Sequence, residues 1–146
     1  MKKLRFLTII IILLSFSCLE CKKDNHDDPD LLKTKWTLSY IKDTKTQAIT
    51  NFPTDAPKTI SIEFIDKSNL LFFRGICNVG SGTYCFSSTT DKIKVTDLIT
   101  TEIYCKYYEW ETYTVQNLYN ASNYLINGTE LVIFSTGAYN LYFTKN

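Results

Sequence analysis

Asn127-Gly128 stands between two apolar runs, Tyr124 to Ile126 and Leu131 to Phe134, and constrains the fold more than any other pair of residues in the chain. Both residues tolerate positive φ, which the type I′ turn of a two-residue β-hairpin demands at its central positions. Such a turn sets Ile126 opposite Thr129 and Tyr124 opposite Leu131. It also gathers Tyr124, Ile126, Leu131 and Ile133 on one face, so turn chemistry and hydrophobic alternation specify the same buried side.

Period-two alternation recurs upstream. Trp36, Leu38 and Tyr40 alternate with polar neighbours, and Ile60, Ile62 and Phe64 repeat the pattern. Between them, Asn51 to Pro57 holds two prolines, which fix φ and remove donors, so this stretch reads as a loop. Asp66-Lys67-Ser68-Asn69 turns the chain into Leu70 to Arg74, whose unbroken apolar run predicts a central strand. Thr83 to Ser87 and Lys92 to Val95 predict another hairpin, and Leu141 and Phe143 carry the apolar face into a final strand. One helix interrupts the series. Trp110, Tyr113, Thr114, Asn117, Leu118 and Ala121 recur at helical spacing over 108–121, with Glu109 and Glu111 near the end where the helix dipole favours negative charge. Composition agrees, since 10 Tyr, 9 Phe and 2 Trp against only 5 Gly favour strands. The expected class is mainly β, an α+β arrangement of antiparallel strands with one helix and no internal repeat.

Phe6 to Phe16 is an uncharged apolar run behind Lys2, Lys3 and Arg5. As a helix it rises about 16 Å against about 30 Å of bilayer hydrocarbon, so it predicts an export signal rather than a membrane span. Leu14-Ser15-Phe16-Ser17-Cys18 resembles the end of a bacterial lipoprotein signal, whose cysteine thiol receives diacylglycerol and becomes the new N-terminus. Ser15 and Phe16 depart from the strict form, while Ser17 fits it. On this reading residues 1–17 are the signal peptide, Cys18 is lipidated, 18–30 form a charged tether and 31–146 form one domain. The tether is similar to the acidic stretch of surface-directed lipoproteins in the Bacteroidetes lineage. That implies an outer-membrane lipoprotein of the cell envelope, on its periplasmic or surface face, with the membrane as partner through the lipid. The competing expectation is an ordinary cleaved secretory peptide followed by a polar linker. Removing Lys2, Lys3 and Arg5 from 16 basic residues leaves 13 against 15 acidic ones. No basic cluster remains to displace the counterions of a polyanion, so nucleic acid is not an expected partner.

Gly75-Ile76-Cys77-Asn78 is followed by Gly82-Thr83-Tyr84, and then Thr100 and Thr101 precede Cys105. With Trp36 and Leu38 upstream, and the helix and Leu131, Leu141, Tyr142 and Phe143 downstream, this succession resembles the META domain, also called the HslJ-like family, over essentially the whole exported domain. The family signature is Gly-Cys-Asn, then Gly-x-Tyr, then a Thr a few residues before a second cysteine. Here Ile76 is inserted between Gly75 and Cys77, and Cys85 is additional. The resemblance implies a small antiparallel β-barrel-like sheet of about eight strands closed by one helix. It also implies an envelope setting and a role in stress tolerance, since the best known bacterial member is associated with heat induction and novobiocin resistance. It implies no active site. It further implies a Cys77–Cys105 disulfide, because these match the two family cysteines. With Cys18 lipidated, Cys21, Cys77, Cys85 and Cys105 remain in an oxidising compartment, where four cysteines allow three complete pairings. A Cys77–Cys85 bond, or Cys85 and Cys21 left unpaired, stays open.

Gly75, Gly80 and Gly82 bracket Asn78 in a segment that runs into a strand, not into a helix with a Lys, so a tight bend is expected over a phosphate cradle. Asn78 is expected to bond its own loop backbone. No catalytic machinery is expected. The single histidine, His26, lies in the tether and leaves no base for a Ser or Cys nucleophile. Glu109 and Glu111, two apart on a helix, point to different faces and read as solvated charges. The folded part lacks Cys-x-x-Cys, so neither a zinc site nor another cofactor is expected. Tyr104, Tyr107, Tyr108, Trp110 and Tyr113 crowd the helix entry, where flat rings suit stacking on a sugar or on a partner's apolar patch. The competing expectation is that they close one end of the barrel as core. Two functions follow: a non-catalytic envelope lipoprotein that engages another envelope component, or a binder of a small apolar or glycan ligand in the barrel mouth. An interior filled by Trp36, Phe64, Phe73, Tyr124 and Phe143, with no pocket near the lower size of ligand sites at about 300 Å³, would remove the basis for a carrier.

Overall fold

The computed structural model describes residues 28–66 and 68–145. They form β1 (Lys35–Asp43), β2 (Ile49–Asn51), β3 (Ser61–Ile65), β4 (Leu70–Arg74), β5 (Val79–Ser87), β6 (Lys92–Thr100), α1 (Tyr108–Tyr119), β7 (Ala121–Asn127), β8 (Glu130–Ser135) and β9 (Tyr139–Lys145). Strands β3 to β9 pair in sequence order, and β1 pairs with both β3 and β9. The result is a closed antiparallel barrel of eight strands, with β2 as an extra strand against Tyr40 to Lys42 of β1. Closure removes the exposed sheet edges that short strands would otherwise present.

Large rings fill the interior. Trp36, Phe64, Phe73 and Phe143 are fully buried, Tyr124 is nearly so, and Trp36 donates its indole N–H to the Leu31 carbonyl at 3.2 Å. Each such ring removes roughly 150–250 Å² from water, which makes this cluster the main source of stability. The N-terminal edge of the described residues is tied to the barrel. Leu31 is fully buried, and Asp28 accepts the Tyr124 hydroxyl at 3.0 Å and the Asp30 and Leu31 amides on its other oxygen. Residues 1–27, including Cys18, Cys21 and His26, lie outside the described residues.

Three local expectations shift. In β1 a bulge between Leu38 and Tyr40 changes the phase, so Ile41 points inward and Tyr40 instead stacks on Tyr142 with centroids 4.3 Å apart. In β4 the apolar run alternates, with Leu71 and Phe73 inside and Phe72 exposed. In the β7–β8 hairpin Asn127 pairs with Glu130 and Ile126 with Leu131, so the turn is centred on Gly128-Thr129. Only Gly128 has positive φ, at 61°, the pattern of a type II′ turn with Gly first. The displacement is two residues in pairing register, so Tyr124, Ile126, Leu131 and Ile133 keep one common face.

The barrel has one weak seam. β6 and β7 pair only at Lys92 and Asn123 before they diverge, and α1 fills the opening. Leu118 and Thr114 are fully buried there, and Tyr119 donates its hydroxyl to the Leu98 carbonyl at 2.6 Å. Polar side chains on this inner face find partners: Thr114 bonds the Trp110 carbonyl, and Asn117 bonds the Tyr113 carbonyl and accepts the Tyr139 amide. The helix ends at Tyr119 rather than 121, and Ala121 already belongs to β7.

Candidate functional site

Of the signature residues, Gly75, Cys77, Asn78 and Cys105 fall at one end of the barrel, where β4 turns into β5 and β6 runs into α1. Gly75 donates its N–H to the Asn78 carbonyl at 2.7 Å and closes a tight turn, as the bend reading expected. The Asn78 side chain, however, does not bond its own loop backbone. Its Oδ1 accepts the Ile103 amide at 2.7 Å and the Thr101 hydroxyl at 2.8 Å, and its Nδ2 donates to the Ile103 carbonyl at 2.9 Å. One nearly buried amide therefore reproduces a strand ladder for the segment that leaves β6.

Glu111 fixes the other side of Asn78. It is 4% exposed, so the sequence expectation of a solvated charge does not hold. Its Oε1 accepts the amides of Cys77 at 2.7 Å and Asn78 at 3.2 Å, while its Oε2 accepts Asn78 Nδ2 at 2.5 Å. A buried carboxylate is tolerable when donors of this kind replace its water. Gly75 is required for the same reason, because a Cβ there would lie 2.3 Å from Glu111 Oε1. Glu109 stays exposed.

Cys77 and Cys105 form a disulfide with Cα atoms 6.4 Å apart, the pairing that the family resemblance implied. It excludes a Cys77–Cys85 bond. Cys85 is itself disulfide-bonded, so the expectation that it is left unpaired is corrected. The Cys77 and Cys105 sulfurs and a Glu111 oxygen lie within 4.8 Å of one another, but sulfurs bonded to each other offer no thiolate to a metal.

Beside the disulfide opens a cleft of about 490 Å³. Phe73 and Val115 contribute apolar wall, the segment 100–104 forms one rim, and Tyr108, Glu111 and Thr112 of α1 form the other. The aromatics expected at the helix entry divide into two groups. Tyr107 and Trp110 turn to the 52–57 loop: Tyr107 donates its hydroxyl to Asp55, and Trp110 meets Phe52 edge to face at 5.3 Å. The Tyr107 hydroxyl, followed by the Lys106 ammonium at 3.3 Å, holds the Asp55 carboxyl below the usual carboxylate range. Tyr113 packs on Tyr139. Tyr104 and Tyr108 remain on the cleft, 83% and 40% exposed, with tilted rings 5.1 Å apart. Ile103 is also exposed on this rim, and Val79 and Ile99 are exposed on β5 and β6.

The other signature residues are structural. Gly82 lies within β5 opposite Leu71. Tyr84 is buried and donates its hydroxyl to the Ile65 carbonyl at 3.0 Å. Burial, and secondarily the Asp66 charge, pushes that phenol up to about 12. Glu111 is the site residue whose burial sequence reasoning did not find. The signal was available in the helix stripe, since stepping back three from Thr114 on the inner face lands on Glu111.

Together these features define a small closed antiparallel barrel, plugged by one helix, with a cystine and a Gly-x-Cys-Asn turn at its open end. The chain belongs to the META domain family, whose model matches residues 29–146. Among solved structures it is similar to a protein from Burkholderia xenovorans, with TM-score 0.64 and 17% identity over 80% of this chain and 83% of that one. A DUF4847 family protein from Bacteroides vulgatus gives TM-score 0.61 and 12% identity over 80% and 94%. At such identities the likeness speaks for the fold. No curated protein matches the sequence.

Proposed function

We propose that the protein is a non-catalytic binding module of the cell envelope, held by lipid at Cys18, that recognises its target at the cleft beside the Cys77–Cys105 disulfide. The observation that carries this reading is the division of the aromatics. Tyr107 and Trp110 are spent on internal contacts, whereas Tyr104, Tyr108 and Ile103 stay uncovered around a concave site. A rim of apolar rings over a few fixed polar groups is the usual anatomy of a recognition site. The Cys77 sulfur is bonded to Cys105, and Glu111 is occupied by three donors, so neither is free to act as nucleophile or base.

Asp28, where the tether joins the domain, bonds Tyr124, whose amide in turn bonds Asp91 at the start of β6. The cleft lies beyond Thr100 at the far end of that strand, about 27 Å away at the rise of an extended chain. An anchor at Cys18 would thus enter at the pole opposite the cleft and leave the rim facing away from its own membrane. Stress tolerance would follow from what the rim engages. A photocrosslinking residue placed at Tyr104 in cells, compared with one at the distant exposed Leu125, tests the site. A discrete adduct from position 104 alone is expected, and equal labelling or none at both positions refutes it. Intact mass tests the anchor separately, since a processed chain without acyl mass on Cys18 ends that part of the proposal.

A further inference from the structure

We infer that the cleft takes an organic cation, an ammonium group carried on an apolar stem; the inference rests on the cleft being the recognition site. Charge is the first ground. Among the described residues that line the cleft, Glu102 and Glu111 are acidic and none is Lys or Arg. Glu111 is buried, and no ion pair involving it is formed among the described residues. An ionised carboxylate has about four acceptor sites, and the three hydrogen bonds to Glu111 leave one. The N-terminal end of α1 offsets part of the Glu111 charge, but Glu102 precedes the helix by a full loop and gains little from it.

The basic side chain of the loop that leads into α1 is turned elsewhere. Lys106 bonds Asp55 at 3.3 Å and lies over the Tyr107 ring at 4.5 Å, on the side of the 52–57 loop. The negative wall is therefore left for a cation from outside. Aromatic geometry is the second ground. Tyr104 and Tyr108 present tilted, exposed rings on the same cleft, and the negative face of a phenol ring attracts an ammonium within about 6 Å. Ile103 and Val115 supply the apolar surface that a stem would cover, with Phe73 behind them. A volume of about 490 Å³ suits a small molecule of this kind. A simple metal ion would leave the rings unused and would need the sulfurs that the disulfide withholds. An anion would meet two carboxylates.

Three probes with one stem test the idea: octyltrimethylammonium, octanoate and octyl glucoside, each titrated below its micelle-forming concentration into the oxidised full chain and followed by amide NMR. The cation is expected to shift residues 101–104 and 108–112 and to bind about tenfold more tightly than either counterpart. Glu102→Gln should weaken the cation about fivefold and leave the glucoside unchanged, and Tyr104→Leu should weaken the cation while preserving stem contact. Equal binding of the glucoside or octanoate overturns the cation and keeps the cleft as a recognition site. If no probe at about 10 mM shifts the cleft residues, the cation inference falls, while the crosslinking result at position 104 decides separately whether the cleft is a recognition site.

Discussion

Exchanging Asn78 for Asp changes one NH₂ group to an oxygen and is the sharpest perturbation of this site. The Oδ1 side keeps its acceptor role toward Ile103 and Thr101. The other side replaces a donor with a second negative oxygen 2.5 Å from Glu111 Oε2. At an effective dielectric constant of about 20, two unit charges at that distance repel by about 7 kcal/mol, and by about 4 kcal/mol if the side chains retreat to about 4 Å. Asn78→Ala instead removes hydrogen bonds worth about 1 kcal/mol each when neutral and about 2 kcal/mol when charged, roughly 3–5 kcal/mol before the exposed Ile103 segment regains water. Against a typical domain stability of about 5–15 kcal/mol, Asp should leave the protein near its unfolding threshold at pH 7.5.

The two variants differ further in their response to acid. In Asn78→Asp the carboxylate pair is relieved by one shared proton, so the folded state binds that proton more tightly than the unfolded chain does. Stability then rises as pH falls from 7.5 toward 5, whereas Asn78→Ala lacks this gain. Adding Glu111→Gln to Asn78→Asp restores a donor opposite an acceptor, and at pH 7.5 the double variant should recover most of the loss. Urea unfolding followed by Trp36 and Trp110 fluorescence at both pH values reads all of these quantities as midpoints. If Asp is no worse than Ala at pH 7.5, and neither acid nor Glu111→Gln rescues it, Glu111 does not face Asn78 and the site's geometry is wrong.

Gly75→Ala places a Cβ against a carboxylate held by three donors and should cost about 2–3 kcal/mol, read by the same unfolding assay; a neutral outcome would mean the turn can move away. Replacing Cys77 and Cys105 together by Ser opens a loop spanning 28 residues of separation and should lower stability by about 3–4 kcal/mol, with a lower thermal midpoint and retained far-UV dichroism. Alkaline pH should destabilise the protein through Tyr84. Its folded phenol is raised to about 12 from 10.0, so stability is intact below 10 and falls as the unfolded chain ionises first, up to the folded value. Tyr84→Phe should flatten that part of the pH–stability curve, and an unchanged curve would count against burial of the hydroxyl.

The parts of the fold legible from sequence were those written in short-range pattern. The Gly128 hairpin, the Ile60-Ile62-Phe64 strand and the inner helix residues Thr114, Asn117 and Leu118 each announce themselves within a few residues, and the buried faces follow from period. The bulge in β1 was not legible, because moving Ile41 inward depends on how β9 pairs across the sheet. Glu111 and Asn78 were misread for a related reason. A carboxylate two residues from Glu109 reads as solvated until the Cys77–Asn78 turn, 33 residues earlier, is brought against it. The resemblance to META domains indicated which cysteines would meet and which residues would share the turn, but not that the helix closes the turn with a buried charge.

The cystine and the Asn78–Glu111 network hold the same rim by different physics. A disulfide acts chiefly by limiting the unfolded chain, and Cys105 tethers the 101–104 segment only at its far end. Asn78 acts in the folded molecule, fixing Thr101 and Ile103 directly and so setting the direction from which Tyr104 projects. Since Asn78 is itself held by Glu111 on α1, the two walls of the cleft share one buried carboxylate, and neither can shift without breaking a charged hydrogen bond. A rim fixed in this way keeps an exposed tyrosine and isoleucine in place, which under the proposed recognition role would lower the ordering cost of binding. Placing a carboxylate in so dry a position gains little for stability alone; its value lies in tying the signature turn, the loop and the helix into one preorganised edge.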